Sequence, residues 1–353
     1  MNLVNYKIKG GDSLETIAAH FNINVKELVA FHNKNAVMTQ QIYGKEIPIH
    51  IRHLIINPIV TIDEKSSAED LEEIHFGRNL MYRTEMIVGT VLEQVMVDNS
   101  TYKSQYKVGL DQNNTLASVL LQESHVTSSP QMLQAGMELI AEIDKIKCNS
   151  VFRLDPESGK IKKIINYKSI IDEWDHYKAG LESRKTVLKL SQNRKDIDDF
   201  IAGVEAVLKP EKKLIEDYYN KMFYELFFTK HLQGNRDFLQ KYSRTYYSTL
   251  FDKEAVILNF TSTVLEETDE ILKIRRVSAM EYPSLNMEKI VNLYNERIKP
   301  MVQFNFSEYN FSYRETFIWN KTDHVLQESH VTVIEEVKNN VQLLIDFNLK
   351  RFE

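Results

Sequence analysis

The 353-residue chain reads as an α+β protein, with a small βααβ module at its N-terminus and a larger antiparallel β body carrying a helical insertion. Three observations predict this. Strand and helix signals alternate at very short spacing over residues 1–50. Strand-like alternation punctuated by polar turns covers 77–165 and 241–353, and helical periodicity takes over in 166–240.

The first fifty residues carry the densest pattern. Asn5-Tyr6-Lys7-Ile8-Lys9 alternates as a short strand, then breaks at Gly10-Gly11-Asp12-Ser13, where glycine frees the backbone and Asp12 or Ser13 can cap a helix. Leu14, Ile17, Ala18 and Phe21 recur at helical spacing. Asn22-Ile23-Asn24 interrupts them, and Val25, Leu28, Val29 and Phe31 give a second short helix ending near His32-Asn33. Glu46 to Ile49 is expected to close the module by pairing with the first strand.

This order of elements resembles the LysM family. Gly11, Asp12, Ser13, Leu14, Ile17, Ala18, Leu28 and Asn33 fall at its signature positions, and Gly44, Ile47 and Ile49 fit its closing turn and strand; Tyr43 stands where the family usually has proline. The resemblance implies a shallow groove for N-acetylglucosamine glycans, lined by Gly11, Asp12, Ser13, Leu14, Gln41, Ile42 and Tyr43. Peptidoglycan strands and chitooligosaccharides present N-acetyl groups and apolar sugar faces, which suit backbone hydrogen bonds beside an aromatic floor such as Tyr43. A second reading has the module dock onto protein, as an adaptor in a contractile tail or injection-type assembly, because folds do not fix function.

Residues 51–76 read as a connector, with Asn57-Pro58 ending the apolar stretch Leu54-Ile55-Ile56 and a charged run from Asp63 to Asp70. In the first half of the body, strands are expected at Arg78–Val97, Tyr102–Leu110 and Leu116–Thr127, turning at Asp98-Asn99-Ser100 and Asp111–Asn114. Met137 to Leu154 continues as alternation, and Asp155–Gly159 turns it into Lys160–Ile165. In the helical insertion, Ile170, Trp174, Tyr177 and Leu181 mark one face, and Ile197, Phe200, Ile201, Val204 and Leu208 another. Pro210 fits a helix start, and the helix that follows is apolar around most of its circumference through Phe228, as a central core helix would be. Strands resume at Ser243, broken at Asp252-Lys253-Glu254 and Glu267-Thr268-Asp269-Glu270, one more helix spans Leu285–Ile298, and strands follow over Met301–Val337 in the second half.

An identical heptapeptide supports two related halves. Leu121-Gln-Glu-Ser-His-Val-Thr127 recurs as Leu326-Gln-Glu-Ser-His-Val-Thr332, each copy following a polar turn. Glu123 with His125, and Glu328 with His330, share a strand face because i and i+2 project together. Such pairs could ligate a metal or move protons, but no further His or Cys stands at ligand spacing nearby, so a repeated surface strand is the stronger expectation and no metal is assigned.

Composition and motifs bound the remaining function classes. Hydrophobic content of 43% with 27% charged residues is that of a soluble globular protein, and 11 glycines and 7 prolines leave no long disordered linker. A net charge of -6 gives no basic footprint for nucleic acid. There is no apolar run of membrane-spanning length. The sole cysteine, Cys148, excludes an intrachain disulfide and sits where a buried structural thiol is expected. No phosphate loop, dinucleotide fingerprint, nucleophile elbow or zinc-protease helix occurs, so no catalytic residue and no cofactor is assigned. Met1 leads directly into the module without the basic and apolar regions of a Sec signal, which leaves as expectations a mature form with its signal removed, a cytoplasmic protein, or export by a route that bypasses Sec. The expectation is a non-catalytic glycan binder, most of all for peptidoglycan, with a structural or partner-binding body; a cell-wall-active enzyme targeted by the module is the enzyme-class alternative.

Overall fold

The N-terminal unit is built on a two-stranded antiparallel ribbon, β1 (Val4–Lys7) with β2 (His53–Ile56), and two helices, α1 (Leu14–His20) and α2 (Val25–Asn35), come between them in the chain. The computed structural model describes residues 4–8, 12–20, 24–36, 40–42, 44, 47–48, 51–56, 76–111, 113, 115–181, 194–228 and 238–352. The Asn57-Pro58 break and the charged run from Asp63 to Asp70 lie outside the described residues. The chain divides into two units, 1–75 and 76–353.

The closing strand lies later than the sequence reading placed it. Pro48 lacks the N–H a ladder needs, and its carbonyl instead accepts from Ile51 N at 2.9 Å, so the chain turns there. Neither Ile47 nor Pro48 is in a strand, whereas Leu54 and Ile56 alternate inward on β2 and are fully buried. They complete a core with Leu14, Ile17, Ala18 and Leu28.

The body is one eleven-stranded antiparallel sheet beneath helices, and mixed helix and strand make up 33% and 44% of the structure. Its strands are β3 (Arg78–Leu92), β4 (Val95–Leu110), β5 (Leu116–Ser129), β6 (Asn149–Leu154), β7 (Ile161–Ile164), β8 (Tyr242–Tyr247), β9 (Ala255–Glu267), β10 (Ile271–Met280), β11 (Tyr309–Asn320), β12 (Val325–Val337) and β13 (Val341–Phe352). The spatial order is β7-β6-β5-β4-β3-β13-β12-β11-β10-β9-β8. The first and last strands of the body therefore pair at its centre, Met81–Leu92 against Val341–Phe352, and the chain meanders outward on both sides.

Helices connect one edge of the sheet to the other. After β7 come α4 (Tyr167–Ala179), α5 (Arg194–Leu208), α6 (Glu211–Tyr219) and α7 (Met222–Phe227), and β8 then begins the opposite edge. The single long helix expected after Pro210 is broken at Asn220-Lys221, where Lys221 takes an extended backbone conformation. Phe223 stacks on Tyr106 with ring centres 4.0 Å apart, Phe227 meets Tyr82 edge-on at 5.3 Å, and Phe228 meets Phe152 at 5.4 Å. The expected helix at Leu285–Ile298 is present as α8 (Met287–Leu293), which runs on through a wider turn, Tyr294–Ile298, into α9 (Lys299–Val302).

Two further expectations are corrected. Asp98-Asn99-Ser100 is not a turn but part of β4, where Ser100 bonds Ser128 Oγ at 2.7 Å; the turn is at Glu93-Gln94, both in the left-handed region. Met137–Lys147 is not strand: α3 (Gln134–Lys147) buries Leu139, Ile143 and Ile146; Met137, Leu139, Ala141 and Ile143 pass for alternation, but the odd step to Ile146 breaks it, and Glu138, Ala141, Glu142 and Lys145 favour the helix. Cys148 consequently caps a helix rather than lying in a strand, and is 1% exposed.

The repeated heptapeptide makes the same irregularity twice. Between β4 and β5 the register passes from Gln105↔Glu123 to Tyr106↔Leu121, leaving Gln122 as the extra residue of a bulge; between β11 and β12 it passes from Ile318↔Glu328 to Trp319↔Leu326, leaving Gln327. A bulge raises local twist, and both copies stand second in their hairpin.

Replacing Phe227, which is fully buried against Tyr82 and Phe223, should test the central packing. Phe227→Ala is expected to lower stability by about 3–5 kcal/mol, read as a reduced urea midpoint for the body.

Candidate functional site

The loops that the glycan resemblance singles out are pinned by side chains of the module's own elements. Ser13 begins α1 with a reciprocal cap: Thr16 N donates to Ser13 Oγ at 3.2 Å and Ser13 N to Thr16 Oγ1 at 2.7 Å. Tyr6 on β1 donates from its hydroxyl to Asp12 Oδ2 at 2.8 Å, tying the loop after the first strand back to that strand.

The second loop is held from the end of α2. Asn33 Nδ2 donates to the carbonyl of Ile42 at 2.7 Å and its Oδ1 accepts from Ile42 N at 2.7 Å, so one amide satisfies both main-chain groups of that residue. Gln41 Nε2 donates to the Asn33 carbonyl at 3.0 Å. His32, fully buried, lies 2.8 Å from the Gln40 carbonyl through Nε2 and accepts from Ile55 N through Nδ1 at 3.0 Å.

The residues assigned to the groove divide by what they expose. Leu14 and Ile42 are both 1% exposed and contribute side chains to the core, so their part in a groove is through the main chain. Asp12, Ser13 and Gln41 are half-buried and polar. Gly11 and Tyr43 lie outside the described residues. The sequence reading named Asn33 only as a signature position and assigned no role to Tyr6 or His32. A buried histidine beside that asparagine, at the end of an amphipathic helix, was the available signal.

Family and structural comparisons bear on this unit. The LysM domain family model matches residues 6–31. No family model matches the rest of the chain, and comparison of the chain with curated proteins finds no match. Among solved structures, a chain concerning lipid–protein interactions in lipovitellin is similar at 8% identity and a TM-score of 0.39, over 80% of this chain and 26% of that one. This chain thus spans about a quarter of that protein. A LysM domain implies carbohydrate or peptidoglycan binding at the coarse level.

The body's ionisable groups were the other candidates. Glu123 with His125, and Glu328 with His330, all face one side of the sheet, and the pairing places His330, Asn348, Glu85, Lys103 and His125 in a single transverse row. Four strand steps separate the two histidines, roughly 19 Å. They cannot share a ligand. His330 Nε2 meets Asp346 Oδ2 at 2.8 Å, and among the described residues no group of three or more His, Cys, Asp or Glu could hold a metal ion. Among those residues, too, no helix is long and apolar enough to cross a membrane.

Buried charge in the body is matched by nearby partners. Arg276 Nη1 donates to Glu315 Oε2 at 2.8 Å, with both side chains almost wholly buried, and its guanidinium lies 5.1 Å from the Phe317 ring centre. Glu225 on α7 accepts from Arg244 and from the Tyr246 hydroxyl, while burial pushes its carboxyl above the usual range. Glu335 accepts from Ser248, Thr249 N and Tyr309. Burial likewise pushes the Cys148 thiol up, away from the thiolate that nucleophilic chemistry needs.

Two measurements test these networks. Asn33→Ala strips Ile42 of both its main-chain partners and should cost the N-terminal unit about 1–3 kcal/mol, seen as an earlier unfolding transition for that unit. In the body, the Lys178 hydrogen bond to Glu205 at 2.7 Å, aided by Lys209 and Trp174, holds that carboxyl down to about 2 against an ordinary 4.5. A depressed carboxyl contributes stability above its unfolded value that is lost as pH falls through the folded one. Glu205→Gln should therefore melt earlier than wild type at neutral pH, and the gap should close between about pH 4.5 and about pH 2.

Proposed function

We propose that the protein is a non-catalytic binder of N-acetylglucosamine glycans, with peptidoglycan the favoured target, and that the body serves as a structural or partner-binding unit. The observation that carries this reading is the pinning of Asp12, Ser13, Gln41 and Ile42 by Tyr6, Thr16 and Asn33 within the stretch that begins with the LysM match. A pre-held loop lets main-chain and short polar groups meet N-acetyl groups without an ordering cost on binding. In the body, the donors gathered around Glu225, Glu315 and Glu335 support a structural role for those carboxylates.

Calorimetric titration of the full chain with chitooligosaccharide, paired with a pulldown on purified peptidoglycan, tests the proposal. Tyr43→Ala should weaken binding by about 1–2 kcal/mol if the ring stacks on a sugar face. No binding by the wild type at millimolar oligosaccharide, and none to peptidoglycan, would overturn it in favour of protein docking.

A further inference from the structure

We propose that two copies of the chain pair through β8, the edge strand of the body, about a two-fold axis level with Thr245. The two edges of the sheet differ in chemistry. β7, Ile161-Lys-Lys-Ile164, carries two lysines at its centre, and α6 caps its main chain: Ile161 N donates to the Tyr219 hydroxyl at 2.6 Å and Ile164 N to Glu211 Oε1 at 2.7 Å. Charge and covered N–H groups keep an edge from pairing. β8, Tyr-Ser-Arg-Thr-Tyr-Tyr, is built of strand-forming residues, with no proline and no bulge against β9. Its one charged side chain, Arg244, is turned to the helix side, where Glu225 accepts from it. β8 ends the sheet, and among the described residues none bonds the main chain of Ser243–Tyr247 on the side away from β9. A length of six residues limits pairing without preventing it.

The occupant is a second copy because β8 complements itself. Opposite residues of an antiparallel pair point to the same face, so a two-fold axis must lie level with a residue, and axes at Arg244 or at Thr245 each pair five residues. The first sets two guanidinium groups against each other. The second sets Thr245 against Thr245, Ser243 against Tyr247 and Arg244 against Tyr246. That last contact repeats one the guanidinium already makes within its own strand, 4.8 Å from the Tyr246 ring centre. On the other face, Ser243, Thr245 and Tyr247 are all exposed in a single copy, and the Tyr247 ring then lies against the second. Main-chain bonds along the two edges join the sheets, and the matched side chains set the register. The contact is small, so the pair forms by mass action as concentration rises.

The test is sedimentation equilibrium of the full chain, with no glycan present, from about 1 μM to about 300 μM. The wild-type mass should climb from 41.3 kDa toward twice that value. Thr245→Lys and Thr245→Asp each place like charges on the axis and should raise the dimer dissociation constant at least roughly tenfold, with melting temperature unchanged because Thr245 is exposed. An equimolar mixture of the two should dimerise again, which misfolded variants could not do. Thr245→Cys gives a second readout, since the sole native thiol, Cys148, is buried. Mild oxidation should link it to its own copy, whereas Ser243→Cys should link only when mixed with Tyr247→Cys. A wild type that stays at 41.3 kDa throughout would overturn the proposal and leave the edge to a strand of another protein. So would a dimer indifferent to both charge variants, which must use another surface, or a Ser243→Cys chain that links to itself.

Discussion

The helix Met222–Phe227 is the constraint on which the body depends. Six residues are far too few to form a helix in isolation, so its stability comes from burial. Every position from Phe223 to Phe227 is buried. The aromatic rings reach Tyr82 and Tyr106, on strands of the first half, while Glu225 reaches Arg244 and Tyr246 on the far edge strand. A carboxylate at the centre of so apolar a helix would be costly without partners, and its partners Arg244 and Tyr246 belong to the second half of the sheet. One short element therefore fixes both halves of the sheet by two different interactions.

The order of strands explains why such a plug is needed. Because β3 and β13 pair at the middle, the body's two chain ends meet at the centre and its two edges are left to β7 and β8, of four and six residues. Short edges limit unwanted pairing, and the helices that run from one edge to the other cover the face between them. The bulges at Gln122 and Gln327 belong to the same design. Each adds a residue at the same position of the heptapeptide, in the second strand of its hairpin, where a bulge increases the local twist of a long strand. The two identical heptapeptides share that bulge and place Glu123, His125, Glu328 and His330 on one face of the sheet.

What the sequence made legible follows from how local each signal is. The breaks at Asp252–Glu254 and Glu267–Glu270, the helix face of Ile170, Trp174 and Tyr177, and the burial of the helix after Pro210 all arise from a few neighbouring residues, and the structure places them as read. Misplaced elements had ambiguous local cues. Met137, Leu139, Ala141 and Ile143 alternate as a strand would although they lie on a helix, Asp98-Asn99-Ser100 has the composition of a turn but sits in a ladder, and the pairing of Leu54-Ile55-Ile56 with β1 is set by a turn at Pro48. The eleven-strand order was beyond reach. It rests on the pairing of β3 with β13, which are separated by most of the body's sequence and carry no signal of each other.

In the module, the same distinction separates scaffold from surface. The loops around the groove have no ladder of their own, so their main-chain groups must find partners elsewhere, and they find them in side chains at the end of α2 and on β1. Those side chains point inward and are fixed by packing, which leaves the outward positions free to vary without disturbing the loop. Asn33 and His32 are fixed by what they hold: each answers main-chain groups that nothing else described in the structure reaches, so a change there alters the backbone of the second loop itself.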